Sequence, residues 1–208
     1  MTDTFTFSDA DIQKRYEEKD FSRSLEPNTG VWYEFAVKTA TIKQTRAGYL
    51  QLNCMVAAID QAGESMFTKF VNAPLPVAYK GNEPPAAAAG ICSGLLRAFF
   101  VNASPYDAVK VNPANEKKRD YYKNGVKLDT EAFKAGEKNQ TAFISSFIDK
   151  LIDPSSSAEA LESLTSCKFF GQLTASEDGK FVNVRPITGI LPEGTKVVYD
   201  AKVAYGRK

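Results

Sequence analysis

Between Val31 and Val71 apolar residues recur at every second position. Tyr33, Phe35 and Val37 alternate with polar or small residues, and the apolar parity then moves to Ala40 and Ile42. Alternation of this kind marks a strand with one buried face. A change of parity inside one strand predicts a bulge or sharp coil, the device that curls a sheet toward a barrel. The segment TRAG turns the chain. Leu50, Leu52, Cys54 and Val56 then form one row, with Tyr49, Gln51, Asn53 and Met55 in the opposite row. A second turn at DQAG leads to a third strand over Met66–Val71. The first half therefore reads as a three-stranded meander.

The next stretch changes period. Asn72 to Pro85 is a proline-rich loop, and Ala86 to Ala103 carries Ile91, Leu95 and Phe99 beside Cys92, Leu96 and Phe100, which is helical spacing with Ser93 and Arg97 facing away. Residues 104–127 are polar and read as irregular, with Val109 and Val111 as a short strand. Asp129 to Asp153 reads as one or two helices with Phe143, Phe147 and Leu151 on one face. A last short helix follows before Cys167, capped by Ser156 or Ser157. KFFGQLTASEDGKFVNVRPITGIL reads as a hairpin around Glu177-Asp178-Gly179, with Phe169, Leu173, Val182 and Val184 inward. The tail after it offers one more strand. Ahead of the meander, residues 1–30 read as an arm with a short helix capped by Ser8.

The expected organisation is a single domain over 1–208, with an N-terminal arm (1–30) and a helical insertion (75–166). It is mainly β, a five-stranded partly open barrel with helices between strands 3 and 4. A generic α+β sheet with helices on one face is the other architecture this order allows.

Composition narrows the chemistry. The 208 residues are 43% hydrophobic and 25% charged, as in a globular chain. No apolar run approaches the ~20 residues of a membrane helix, so no membrane partner is expected. The start MTDTFTFSDADIQ lacks a basic region followed by an apolar core, and the expected location is cytoplasmic. There is no histidine, which removes Ser-His-Asp, Cys-His and His–metal chemistry. The 3 cysteines, Cys54, Cys92 and Cys167, are widely spaced in apolar surroundings and read as buried thiols. No phosphate-binding glycine loop is present. No catalytic residue, metal or cofactor is expected.

With a net charge of +1, only local clustering can point to a polyanion. The strongest cluster is KKRDYYKNGVK, where Lys117, Lys118, Arg119, Lys123 and Lys127 surround Tyr121 and Tyr122. Single-stranded nucleic acid is held by cations along the phosphates and rings stacked on the bases. A second set lies on the outward row and tip of the first hairpin: Lys43, Arg46, Tyr49 and Gln51. Lys69 on the next strand, with Phe67 or Phe70 as a ring, and Tyr79-Lys80 in the following loop extend it. Phe181 and Arg185 add a third set on the last hairpin. The enzymatic alternative is a metal-dependent nuclease with Asp107 and Glu116 as ligands and Lys118 on a phosphate. A protein-interaction module without nucleic-acid affinity is the remaining class.

GVWYEFAVKTATIKQTRAGYLQLNCMVAAIDQAGESMF near the start and LTSCKFFGQLTASEDGKFVNVRPITGIL near the end share a pattern. A long strand, a Lys/Arg-Gly turn, a second long strand and a late hairpin of the form G-x-L…DG…N-V follow in order. In this the chain resembles bacteriophage single-stranded-DNA-binding proteins built on an oligonucleotide-binding (OB) barrel. The resemblance implies non-sequence-specific binding and protection of single-stranded DNA during replication or recombination, without catalysis, in the host cytoplasm. Many such proteins end in an acidic tail that recruits replication proteins, whereas this chain ends DAKVAYGRK, which is basic. Replication proteins are thus partners implied by the resemblance alone.

Overall fold

The computed structural model describes residues 32–165, 167–175, 182–186 and 190–199. The expected N-terminal arm, the 176–181 turn with Phe181, and the basic end of the chain lie outside the described residues. The described chain is mainly β, with two antiparallel sheets and three α-helices.

The larger sheet has five strands in the order β3-β2-β1-β7-β8. β1 (Trp32–Gln44), β2 (Leu50–Ile59) and β3 (Ser65–Pro74) are the expected meander. β7 (Lys168–Ala175) joins the other edge of β1, and β8 (Val182–Pro186) pairs with β7. The parity change has a physical cause in the ladder. Val37 stands opposite Val56 and Thr39 opposite Met55, so Lys38 is an extra residue without a partner across the strand. Gly171 sits where β7 lies tightest on its neighbours. A Cβ there would come within 3.0 Å of Val184 Cγ1 and 3.2 Å of the Arg185 carbonyl oxygen.

The inward rows of this sheet include Tyr33, Phe35, Leu52, Cys54, Val56 and Leu173, all at most 1% exposed. α1 (Ala88–Phe99) and α3 (Ser157–Leu164) lie on that sheet, and α2 (Thr130–Ile152) packs against both helices. Cys92, Leu96 and Phe99 of α1, Ile144, Ile148 and Leu151 of α2, and Ala160 and Leu164 of α3 share one core with the sheet. Phe35 stacks on Phe169 at 5.3 Å, and Phe99 leans on Phe169 at 5.1 Å, which fixes the end of α1 against β1 and β7.

Two expectations about helix faces change. Arg97 does not point into solvent. Its guanidinium donates to Glu137 Oε2 at 3.0 Å, Gln140 Oε1 at 2.7 Å and Thr141 Oγ1 at 2.6 Å, because α2 lies over that side of α1. On α2 the buried stripe runs through Gln140, Ile144, Phe147, Ile148 and Leu151, while Phe143 is 44% exposed and touches Phe100 at its edge. α2 is capped by Asp129, whose carboxylate accepts the Ala132 N–H at 2.8 Å. Ser156 precedes α3 without a side-chain cap bond to it.

The insertion is not only helical. The stretch read as irregular is a second, three-stranded sheet of β4 (Ala108–Asn112), β5 (Asn115–Lys123) and β6 (Val126–Lys127). Asn124 (φ 51°) and Gly125 (φ 77°) form the β5–β6 turn, with both central residues in the left-handed region as a two-residue hairpin of this hand requires. Among the described residues after β8, single bridges set Val197 beside Trp32 and Pro192 beside Val109. They tie the start of β1 to the root of the small sheet. Between the edge strands of the large sheet, β3 and β8, no ladder runs among the described residues. The two strands nonetheless lie close together, and a cleft of about 430 Å³ is bordered by Phe70 and Asn72 of β3, Ile91 and Leu95 of α1, and Asn183 and Pro186 of β8. No helix is long and apolar enough to cross a membrane, among the described residues.

Candidate nucleic-acid interface

The register decides which side chains share the outward face of the meander. Three rows cross β1, β2 and β3: Lys43–Gln51–Pro74, Thr41–Asn53–Asn72 and Thr39–Met55–Phe70. In the middle row Asn53 Nδ2 donates to Asn72 Oδ1 at 2.5 Å. Phe70, in the last row, is 61% exposed, an unusual position for a large ring. Lys69 falls elsewhere. It stands opposite Val56, in the inward row that includes Phe67 and Val71, and burial lowers its ammonium pKa. Phe67 likewise faces the core, edge-on to Tyr33 and Phe35. Of the rings expected on β3, Phe70 alone faces outward.

At the far end of these rows the hairpin tip and the next loop meet. Gly48 (φ +91°) closes the β1–β2 turn, where the Thr45 N–H donates to the Tyr49 carbonyl at 2.9 Å and the Gly48 N–H to the Thr45 carbonyl at 3.0 Å. Tyr79 and Asn82 exchange both backbone hydrogen bonds across Lys80 (φ 50°) and Gly81 (φ 80°), a second tight turn. The Asn82 side chain lies directly over Gly48. Leu75 N–H also donates to the Leu50 carbonyl at 2.9 Å, holding the start of the loop to β2. Arg46, Tyr49, Tyr79 and Lys80 are thereby gathered at one end of the sheet, next to Lys43 and Gln51. Lys80 Nζ sits 5.1 Å from the centre of the Tyr79 ring.

The basic ribbon is in a different place. Its root is held by the Glu193 N–H on the Val109 carbonyl at 2.9 Å and by a Lys110–Glu193 ion pair at 3.1 Å. Through the same tail it is joined to Trp32, the start of β1. The hairpin tip lies past Gln44, at the other end of this 13-residue strand, a span of about 40 Å if it were straight. Arg185 is also level with the start of β1, in the row Trp32–Gln172–Arg185. The ribbon root and Arg185 thus adjoin the start of β1, while Lys43 and Arg46 belong to its other end.

Within the ribbon several groups are already engaged. Tyr121 packs at a tilt against Phe133 at 4.7 Å and Tyr106 at 4.8 Å, and burial, then Tyr121, raises the Tyr106 hydroxyl pKa. Lys123 donates to the Ser104 carbonyl at 3.1 Å. Lys127 pairs with Asp120 at 2.8 Å, an interaction that lowers the Asp120 pKa and raises that of Lys127. Tyr122 lies under the Lys110 ammonium, 5.5 Å from the ring centre. Arg119 folds back onto the Glu116 and Lys118 carbonyls. Lys117 and Lys118 are exposed, and neither ammonium has a partner among the described residues.

The nuclease pair does not assemble. Asp107 accepts the Asn124 N–H at 2.8 Å at the root of the ribbon, whereas Glu116 lies by the turn beyond Asn112, at its tip. No group of three or more His, Cys, Asp or Glu side chains able to hold a metal occurs among the described residues. Sequence reading missed the Asn53–Asn72 amide pair, which only the β2–β3 register reveals.

No family model, curated protein or solved structure matches this chain.

Proposed function

We propose that the protein binds single-stranded DNA, without sequence preference, along the outward face of β1, β2 and β3. The supporting observation is the contact between Gly48 and Asn82. It joins two separate turns into one end-piece in which two cations, Arg46 and Lys80, and two rings, Tyr49 and Tyr79, stand beside Lys43 and Gln51. From there the outward rows continue through the Asn53–Asn72 amides to Met55 and the exposed Phe70. Cations neutralise phosphates, rings stack on bases, and amides accept any base edge, so the arrangement suits a flexible strand of any sequence.

The fold reading goes with it. A meander, helices inserted after the third strand, a closing hairpin and two edge strands bordering one cleft are the parts of a five-stranded OB-like barrel whose seam lies between β3 and β8. A role in DNA replication or recombination, as in the bacteriophage proteins the sequence resembles, is part of this proposal.

A fluorescence titration with oligo-dT across salt concentrations tests it. Affinity that falls steeply with salt is the expected result. No binding at low salt ends the proposal, as does unchanged affinity in the double variant Tyr49→Ala/Tyr79→Ala.

A further inference from the structure

Residues 108–127 hold six cations against two acids in a chain whose net charge is +1. The β4–β5 ribbon is thus the most basic element among the described residues, and its root attaches to α2 and the 190–199 segment rather than to the meander strands. Its root is rigid. The Tyr106–Tyr121–Phe133 ring cluster and the Val109–Glu193 hydrogen bond hold it against α2 and the 190–199 segment. Its tip carries Asn115, Glu116, Lys117, Lys118 and Arg119, all exposed.

The ribbon has charge without available rings. Tyr121 is spent on packing and Tyr122 is covered on one side by Lys110, so the element lacks the base-stacking platforms that a single strand needs. A duplex needs none, because its bases are stacked inside and it presents phosphates on both walls of a groove. Lys117 and Lys118 lie at the tip, in the interruption of the ladder between the Val111–Arg119 and Asn112–Asn115 pairs, and both are exposed. A two-stranded ribbon is a shape that the major groove, about 12 Å wide, admits.

We propose that the β4–β5 ribbon is a second nucleic-acid contact whose ligand is duplex DNA, held through its phosphates by Lys117 and Lys118. Combined with the meander face, and resting there on the single-strand reading, it would seat the protein where a duplex opens into a single strand.

The test compares a blunt duplex with oligo-dT, using the full chain and the double variant Lys117→Ala/Lys118→Ala. Both lysines are exposed and unpartnered, so the thermal unfolding of the variant should match that of the wild type. The wild type should bind the duplex at low salt, and the variant should bind it roughly tenfold more weakly, with the log–log salt slope shallower by about 2. Its oligo-dT affinity should stay within about twofold of wild type. The proposal is overturned if the wild type ignores the duplex at low salt, or if the variant loses both ligands equally. It is also overturned if polyglutamate does not bind the ribbon less well than duplex, since generic polyanion attraction would then suffice. Should oligo-dT not bind while lysine-dependent duplex binding remains, the single-strand reading falls and the ribbon proposal stands.

Discussion

Gly48 and Asn82 lie in contact: a Cβ built on Gly48 would sit 2.5 Å from Asn82 Nδ2. Gly48 also has φ +91°, where an L side chain is strained. Gly48→Ala should lower stability by about 1–2 kcal/mol, and it should weaken oligo-dT binding by pushing the 79–82 turn off the hairpin tip. Repeating it in an Asn82→Ala background separates the two causes. The backbone strain stays and the clash goes, so the loss of DNA affinity should shrink while most of the stability loss remains. Equal affinity losses in both backgrounds would mean that the contact does not couple the turns.

Phe70→Ala removes a ring that is 61% exposed and makes little core contact. Stability should change by less than about 0.5 kcal/mol. If the ring stacks on a base, oligo-dT affinity should drop by about 1–3 kcal/mol. Urea unfolding alongside a binding titration reads both, and an unchanged affinity would remove Phe70 from the interface.

Arg97→Ala acts on the core. It leaves Gln140, 3% exposed, and Glu137 without their cation at the crossing of α1 and α2. Losing charged hydrogen bonds in a half-buried setting should cost about 2–3 kcal/mol in a denaturant titration. Arg97→Lys restores the charge but not the fork of donors and should recover only part of the loss. Full recovery would show that charge alone matters there.

Burial pushes the Cys54 thiol up to about 12 and the Cys92 thiol up to about 11, from 9.0. In the unfolded chain these thiols ionise near pH 9, while the folded protein keeps them protonated. Their contribution to stability is therefore complete below pH 9 and is lost as pH rises from there through about 11–12. The urea midpoint should fall between pH 8.5 and pH 10.5 more steeply for the wild type than for Cys54→Ala/Cys92→Ala. Parallel slopes would refute the assignment, since tyrosines and lysines titrate in both proteins.

Much of the large sheet was legible because its strands alternate cleanly. The inward rows through Phe35, Leu52 and Leu173, the interruption after Val37 and the helices after the third strand all follow from residue period. Lys69 was misread because Met66, Phe67, Phe70 and Val71 do not alternate. Only the pairing of Lys69 with Val56 assigns it to the inward row. Arg97 was misread because a helical wheel sends charge outward and cannot know that a second helix covers that side. The β5–β6 turn has a strong hairpin signal in Asn124-Gly125, but the strands around it are polar on both faces and lack apolar alternation. Nothing in the sequence could bring Gly48 beside Asn82, a contact made by two turns that are far apart in the chain.

Lys38 adds a residue to β1 without adding a row. On either side of it the ladder keeps the same sides, with Val37 and Ala40 inward and Thr39 outward. Deleting Lys38 would thus turn no side chain over; it would remove the one unpaired residue of the β1–β2 ladder. This single position lets the sequence change parity while every residue paired beyond it keeps its face of the sheet.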